Sequence, residues 1–194
     1  LGIVFFTVAI LPSLVGGSVK VFAAEATGPI KSKLHPRIST SAKWLWIVYL
    51  VLTTACILSY KVCGMGWFDA FNYSMTSTAT GGFATESGSI MTFHSPAEEY
   101  VSALFCFLSG VNFTLLYASV IGMDIKKLFK NSEFRFYTIM VLSFAIFITF
   151  ELVWRNHYDI EHAFRSAIFQ VVSFITTTGL FSDDAGKWPH VTWV

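Results

Sequence analysis

Two short stretches of this chain carry the residue types that a dehydrated cation needs around it. Thr78-Ala79-Thr80-Gly81-Gly82-Phe83 recurs 98 residues later as Thr176-Thr177-Thr178-Gly179-Leu180-Phe181. At the same offset Phe71 matches Phe169, Gly88 matches Gly186, and Glu86 faces Asp184. An ion leaving water must replace its hydration shell, and a ring of main-chain carbonyl oxygens can do so. Pointing successive carbonyls one way demands unusual dihedrals, which glycine supplies because it has no Cβ. Gly81 and Gly179 are therefore the candidate filter glycines. Thr78, Ala79 and Thr80 would offer carbonyls below the first, and Thr176, Thr177 and Thr178 below the second. The threonine hydroxyls could add oxygens or tie each turn to its neighbours. One Thr-Gly turn would carry little weight against an ordinary surface loop. Two in one register, each after an apolar stretch, favour a repeated pore loop.

Such turns must be held by elements suited to a membrane, and the composition supplies them. Of 194 residues, 54% are hydrophobic and 13% charged, against about 25% charged in a soluble domain. The mean hydropathy is +0.61. Roughly 20 apolar residues make a spanning helix. Four segments approach this: 1–23, interrupted by Pro12 and Gly16-Gly17, then about 42–63, 99–122 and 134–154. Between the second and third lies Trp67 to Ser77, and after the fourth Ile160 to Ile175. Each is a half-span, and each leads into a Thr-Gly turn. The C-terminal end of such a half-helix carries about half a negative elementary charge, which favours a cation. Asp69 and Asp159 near the two starts suit acidic caps.

Nine of the thirteen basic residues (Lys20, Lys31, Lys33, Arg37, Lys43, Lys126, Lys127, Lys130 and Arg135) fall at or within two loops. The positive-inside rule places those loops in the cytoplasm and the Thr-Gly turns toward the outside. Asp69, Glu86, Glu98, Glu99, Asp159, Glu161, Asp183 and Asp184 share that outer side. They would concentrate cations at a vestibule, or simply form a charged loop surface. The chain starts at Leu1 without Met and stops as a further apolar segment opens, which reads as a piece of a longer protein. A signal peptide ending near Phe22-Ala23-Ala24 is the rival reading of the start, but no basic segment precedes it.

The remaining chemistry-bearing residues point elsewhere. Gly110 and Asn112 lie within the third segment, either lining a cavity beside a hinge or packing closely with an interhelical hydrogen bond. Glu151 is an acid near the end of the fourth, where an interfacial position explains it. His157, Asp159, Glu161 and His162 fit no zinc spacing. Cys56, Cys63 and Cys106 form no CxxC pair and read as small buried residues. No phosphate loop, dinucleotide fingerprint or nucleophile-base arrangement is present, so neither an enzyme nor an organic cofactor is expected. A net charge of +1 offers no ground for a nucleic-acid partner.

Three stretches resemble the Trk/Ktr/HKT superfamily of potassium transporters, and most closely its bacterial TrkH-type membrane subunits. Ser77-Thr78-Ala79-Thr80-Gly81-Gly82-Phe83-Ala84-Thr85 is similar to that family's second pore loop. Phe169-Gln170-Val171-Val172-Ser173-Phe174-Ile175-Thr176-Thr177-Thr178-Gly179 is similar to its third, and Thr27-Gly28-Pro29-Ile30-Lys31-Ser32-Lys33-Leu34-His35-Pro36-Arg37-Ile38 to a cytoplasmic stretch. Ser109-Gly110-Val111-Asn112-Phe113 resembles the middle of the second repeat's M2 helix. The resemblance covers essentially the whole chain. It implies an all-α membrane protein of four membrane-pore-membrane repeats, with re-entrant pore helices, Thr-Gly filter loops and one filter glycine per repeat.

On that plan, residues 1–23 are the end of repeat-one M2, 24–43 a cytoplasmic loop and 44–122 repeat two. Residues 123–133 are a second cytoplasmic loop, and 134–194 are repeat three without its M2. The resemblance implies potassium uptake across the cell membrane through a pseudo-fourfold pore. Its implied partners are the remaining repeats, a second copy in a homodimer, a cytoplasmic nucleotide-binding regulatory subunit and membrane lipid. Lys31, Lys33, Lys126, Lys127 and Lys130 are docking or lipid-contact candidates, although positive-inside topology also explains them. Ala79 departs from the family, where serine is common. Sodium or mixed-cation passage, and a non-transporting membrane fragment, are the alternatives to weigh.

Overall fold

The computed structural model describes residues 38–113, 115–117, 125–184, 186 and 188–189, with backbone alone at 38–43 and 125–127. The expected first span, most of the first basic loop and the closing apolar segment lie outside the described residues. Among those described, every regular element is helical. In chain order they are α1 (Ile38–Cys63), α2 (Trp67–Ala79), a 3-10 turn (Ser89–Phe93), α3 (Pro96–Ser109), α4 (Ile125–Lys130), α5 (Ser132–Asn156) and α6 (Ile160–Ile175).

Two of these helices are long and apolar enough to cross a bilayer. They comprise the 20 residues Trp44–Cys63 and the 25 residues Ser132–Asn156. At about 1.5 Å per residue, 20 residues match a hydrocarbon layer of about 30 Å. Both helices leave large apolar side chains uncovered, including Val51 and Val62 on α1 and Phe136, Ile146 and Trp154 on α5. Asn131 starts α5 by accepting from the Glu133 and Phe134 amides, and Asp159 starts α6 by accepting from the Glu161 amide. Asp159 is thus the cap expected from its position. Asp69 differs: it lies in the first turn of α2, and its Oδ1 accepts the Thr85 hydroxyl at 2.7 Å. It anchors the chain that follows the Thr-Gly turn.

The third apolar segment, read as one span over 99–122, is not one helix. α3 ends at Ser109, and Gly110 caps it with its amide shared between the Cys106 and Phe107 carbonyls. The Asn112 carbonyl then accepts from the Leu115 and Leu116 amides and opens a new turn. Glycine weakens a helix interior, and here its missing side chain also makes room for a neighbour. A Cβ on Gly110 would lie 2.6 Å from the Tyr137 hydroxyl and 2.7 Å from Thr176 Cγ2. Mean hydropathy does not register either effect.

α3 is the central element. It packs on α1 and α2 on one side and on α6 on the other, while α6 also packs along α5. The main core joins Cys56 and Tyr60 of α1, Ala70 and Tyr73 of α2, Ala103 and Phe105 of α3, and Phe169 of α6 with Leu180 beyond it. The two halves therefore share one interior.

Candidate functional site

α2 and α6 each end in a left-handed turn, and the two turns meet. At the end of α2, Thr80 has φ 52° and ψ 46°. The Gly81 amide reaches back to the Thr76 carbonyl at 3.0 Å, and Gly82 has φ 76°. At the end of α6, Thr177 has φ 58°. The Thr178 amide bonds the Ser173 carbonyl at 2.8 Å, and Gly179 has φ 79°. These are the same helix-closing turn, with an amide bonding five residues back and a left-handed residue before it.

The geometric register is 97 residues (Thr80 to Thr177, Gly82 to Gly179), one short of the offset at which residue types match. The left-handed glycine of the first turn is therefore Gly82, not Gly81. Where the last helical amide bonds decides this position, and residue identity does not report it. Gly82 has a second reason to be glycine, since a Cβ there would stand 2.5 Å from the Thr178 carbonyl oxygen. The turns thus touch main chain to main chain. The Ser89 hydroxyl reinforces the junction by accepting the Phe181 amide at 3.2 Å.

The threonine hydroxyls tie the turns to their surroundings. Thr78 Oγ1 donates to the Ser74 carbonyl at 2.8 Å, and Thr176 Oγ1 to the Val172 carbonyl at 2.7 Å. Thr176 and Thr178 also bond each other at 2.7 Å, and Thr178 is 1% exposed. Ala79, Gly81, Thr177 and Gly179 form the exposed positions of the turns. Gly110 lies against Thr176 through the close approach described above. Asn112 is half-buried at the break after α3.

Charge gathers near the starts of α3 and α6. Arg165 of α6, 7% exposed, pairs with buried Glu99 of α3 at 3.0 Å and with Glu161 at 3.3 Å. Glu161 also accepts the Tyr100 hydroxyl at 3.2 Å. The adjoining Glu98 is buried with one carboxylate oxygen lacking a partner. Burial, aided by nearby Asp69, pushes its carboxyl above the usual 4.5. Glu151 pairs with Arg155 at 2.7 Å. Among the described residues no three His, Cys, Asp or Glu side chains converge as metal ligands. The cysteines are free, with Cys56 and Cys106 buried and Cys63 half-buried.

Sequence reasoning missed two parts of this arrangement. Gly82 stood in view beside Gly81, and the doubled glycine was the available signal. The hydroxyls of Tyr60, Ser77 and Ser102 meet behind the first turn from three different helices, and no local pattern announces them.

Comparison with known proteins places the chain among transporters. The family model described as "TrkH: Cation transport protein" matches residues 1–194. The Trk system potassium uptake protein TrkH of Salmonella typhimurium is 38% identical over 191 residues, covering 97% of this chain and 40% of that protein. The Trk system potassium uptake protein TrkG of Escherichia coli is 36% identical over 193 residues, covering 99% of this chain and 40% of the relative. Among solved structures, the potassium transporter TrkH from Vibrio parahaemolyticus superposes with a TM-score of 0.78 at 33% identity, over 98% of this chain and 38% of its own. The chain spans about two fifths of the length of the curated relatives it matches.

Proposed function

Because this chain belongs to the TrkH family of cation transport proteins, we propose that it supplies two of the four quarters of a potassium-uptake pore in the cell membrane. The observation that carries this reading is the meeting of two left-handed helix ends at Gly82, Thr178 and Gly179. Both α2 and α6 direct the negative ends of their peptide dipoles into this one junction. The buried threonine hydroxyls are committed to protein partners. We assign the ion to main-chain oxygens over Thr78–Gly82 and Thr176–Gly179, among which the Ala79 carbonyl also accepts the Thr80 hydroxyl at 2.8 Å and the Thr178 carbonyl faces Gly82. This agrees with a filter in which carbonyls replace water.

α1 and α5 serve as the first membrane helices of repeats two and three, and α2 and α6 as their pore helices. α3 and the chain beyond Gly110 form M2 of repeat two. The basic loops face the cytoplasm and the turns face outward. The remaining repeats complete the filter, a second copy forms a homodimer, and a cytoplasmic nucleotide-binding subunit regulates passage. The relatives named as potassium uptake proteins support potassium as the ion.

The test is uptake of potassium and sodium by the intact protein in liposomes, with and without Gly179→Ala. Alanine is strained at φ 79°. Potassium flux with a preference that falls in the variant is the expected result. Equal potassium and sodium flux in the parent would establish the mixed-cation alternative. Preference unchanged by Gly179→Ala would remove this turn from the filter, and absence of any flux would favour a membrane scaffold.

A further inference from the structure

We propose that Tyr60, assisted by Thr53, is a positioning residue that fixes the main chain of the Thr78–Gly82 turn and so sets the preference for potassium over sodium. This rests on the pore reading above. Tyr60 is 0% exposed, and its hydroxyl lies 3.2 Å from Ser77 Oγ and within hydrogen-bond reach of Ser102 Oγ. Both serines are fully buried as well. Ser77 sits in the last turn of α2, three residues before left-handed Thr80. The next residue, Thr78, bonds Thr53 through their hydroxyls at 3.1 Å. Thr53 and Tyr60 are seven residues apart, about two turns along one face of α1. α1 therefore grips the end of α2 at two adjacent residues, and Ser102 extends the grip to α3.

The chemistry of a buried hydroxyl makes this more than packing. The Tyr60 ring lies in the main core with Cys56, Met65 and Ala70, where a phenylalanine ring would fill the same space. The hydroxyl adds direction, because a buried O–H needs partners and its partners here define where the helix end stands. The second turn carries internal bonds of its own. Ser173 Oγ donates to the Leu180 carbonyl at 2.6 Å, and Thr176 bonds Thr178. Among the described residues, the hydrogen bonds that α1 makes to the two turns go to the first, at Ser77 and Thr78.

The experiment compares Tyr60→Phe, Thr53→Val, Ser77→Ala and the double variant Tyr60→Phe with Ser77→Ala, all in the intact protein. The KM values for potassium and sodium uptake are measured beside thermal stability and beside Gly82→Ala. Tyr60→Phe should weaken the potassium-over-sodium preference by about three- to tenfold, the scale of one lost buried hydrogen bond. The double variant should match the stronger single one, because both cut the same bridge. If Tyr60→Phe does not accumulate, Ser77→Ala gives the same reading. Lower stability with an unchanged preference would make the cluster merely structural and overturn the proposal. A shift in Gly82→Ala without one in Tyr60→Phe or Ser77→Ala would overturn it while leaving the pore reading standing. No shift in any variant would sink both.

Discussion

Gly82→Ala should be far more damaging than Gly81→Ala, although the two glycines are neighbours. At residue 82 the new side chain faces two costs. Its φ of 76° lies in the left-handed region, where a Cβ costs about 1–2 kcal/mol. Its Cβ would also stand 2.5 Å from the Thr178 carbonyl oxygen. An ordinary carbon–oxygen contact is about 3.3 Å or more, so the turns must separate by about 1 Å. Overpacking of this kind costs about 1–3 kcal/mol. The total of about 2–5 kcal/mol is large against a typical stability of about 5–15 kcal/mol. At residue 81 the nearest non-adjacent atom to a Cβ is Phe83 Cδ2 at 3.6 Å, an ordinary contact, and φ is not left-handed. Alanine there should be neutral or gain a few tenths of a kcal/mol from the unfolded state. The assay is thermal unfolding of the detergent-solubilised intact protein, with potassium and sodium uptake measured on the same preparations. Equal losses in the two variants, or a larger loss in Gly81→Ala, would refute the reasoning and restore the 98-residue register.

Two further outcomes follow from the charged groups at the starts of α3 and α6. Arg165→Met leaves Glu99 buried without its cation and should cost about 3–5 kcal/mol. Adding Glu99→Gln should recover much of this, and strictly additive losses in thermal unfolding would show that the pair is not coupled. Glu98→Gln tests a carboxyl that burial holds above its ordinary 4.5. A raised folded value favours the protonated folded form, so this stabilisation is complete below about 4.5 and fades as pH rises through the folded value. The variant should unfold at a higher temperature than the parent at pH 7, with a flatter profile between pH 4.5 and 7. A profile parallel to the parent's would exclude Glu98 as the cause.

The long elements and the two turns were legible because each is written locally. Uninterrupted apolar runs mark α1 and α5, and Thr-Gly endings mark where α2 and α6 stop. Asp159 announced its cap in the same way. The misses share a different physical origin. Matching residue types pairs Gly81 with Gly179, whereas the left-handed turns pair Gly82 with Gly179, because the turn register follows the amide that closes the helix. The break after α3 is not in the hydropathy, which averages over side chains, although Gly110 is legible as a hinge or close-packing glycine and does leave room for Tyr137 and Thr176. Asp69 sits where a cap belongs but reaches Thr85, 16 residues on. The Tyr60 cluster joins residues 17 and 42 positions apart, a separation at which only the folded chain brings them together.

The touching of the two turns at Gly82 and Thr178 has a genetic consequence. When two side chains meet, an enlargement on one side can be answered by a reduction on the other. Here the second surface is a peptide carbonyl, which every residue possesses and no substitution can trim. A lesion at Gly82 therefore has no allele-specific suppressor at residue 178. Relief must come from changes that move α2 or α6 as whole bodies. The two halves are free to differ in nearly every letter around the junction, as Phe83 and Leu180 already do, while the path of the backbone through it stays common to both.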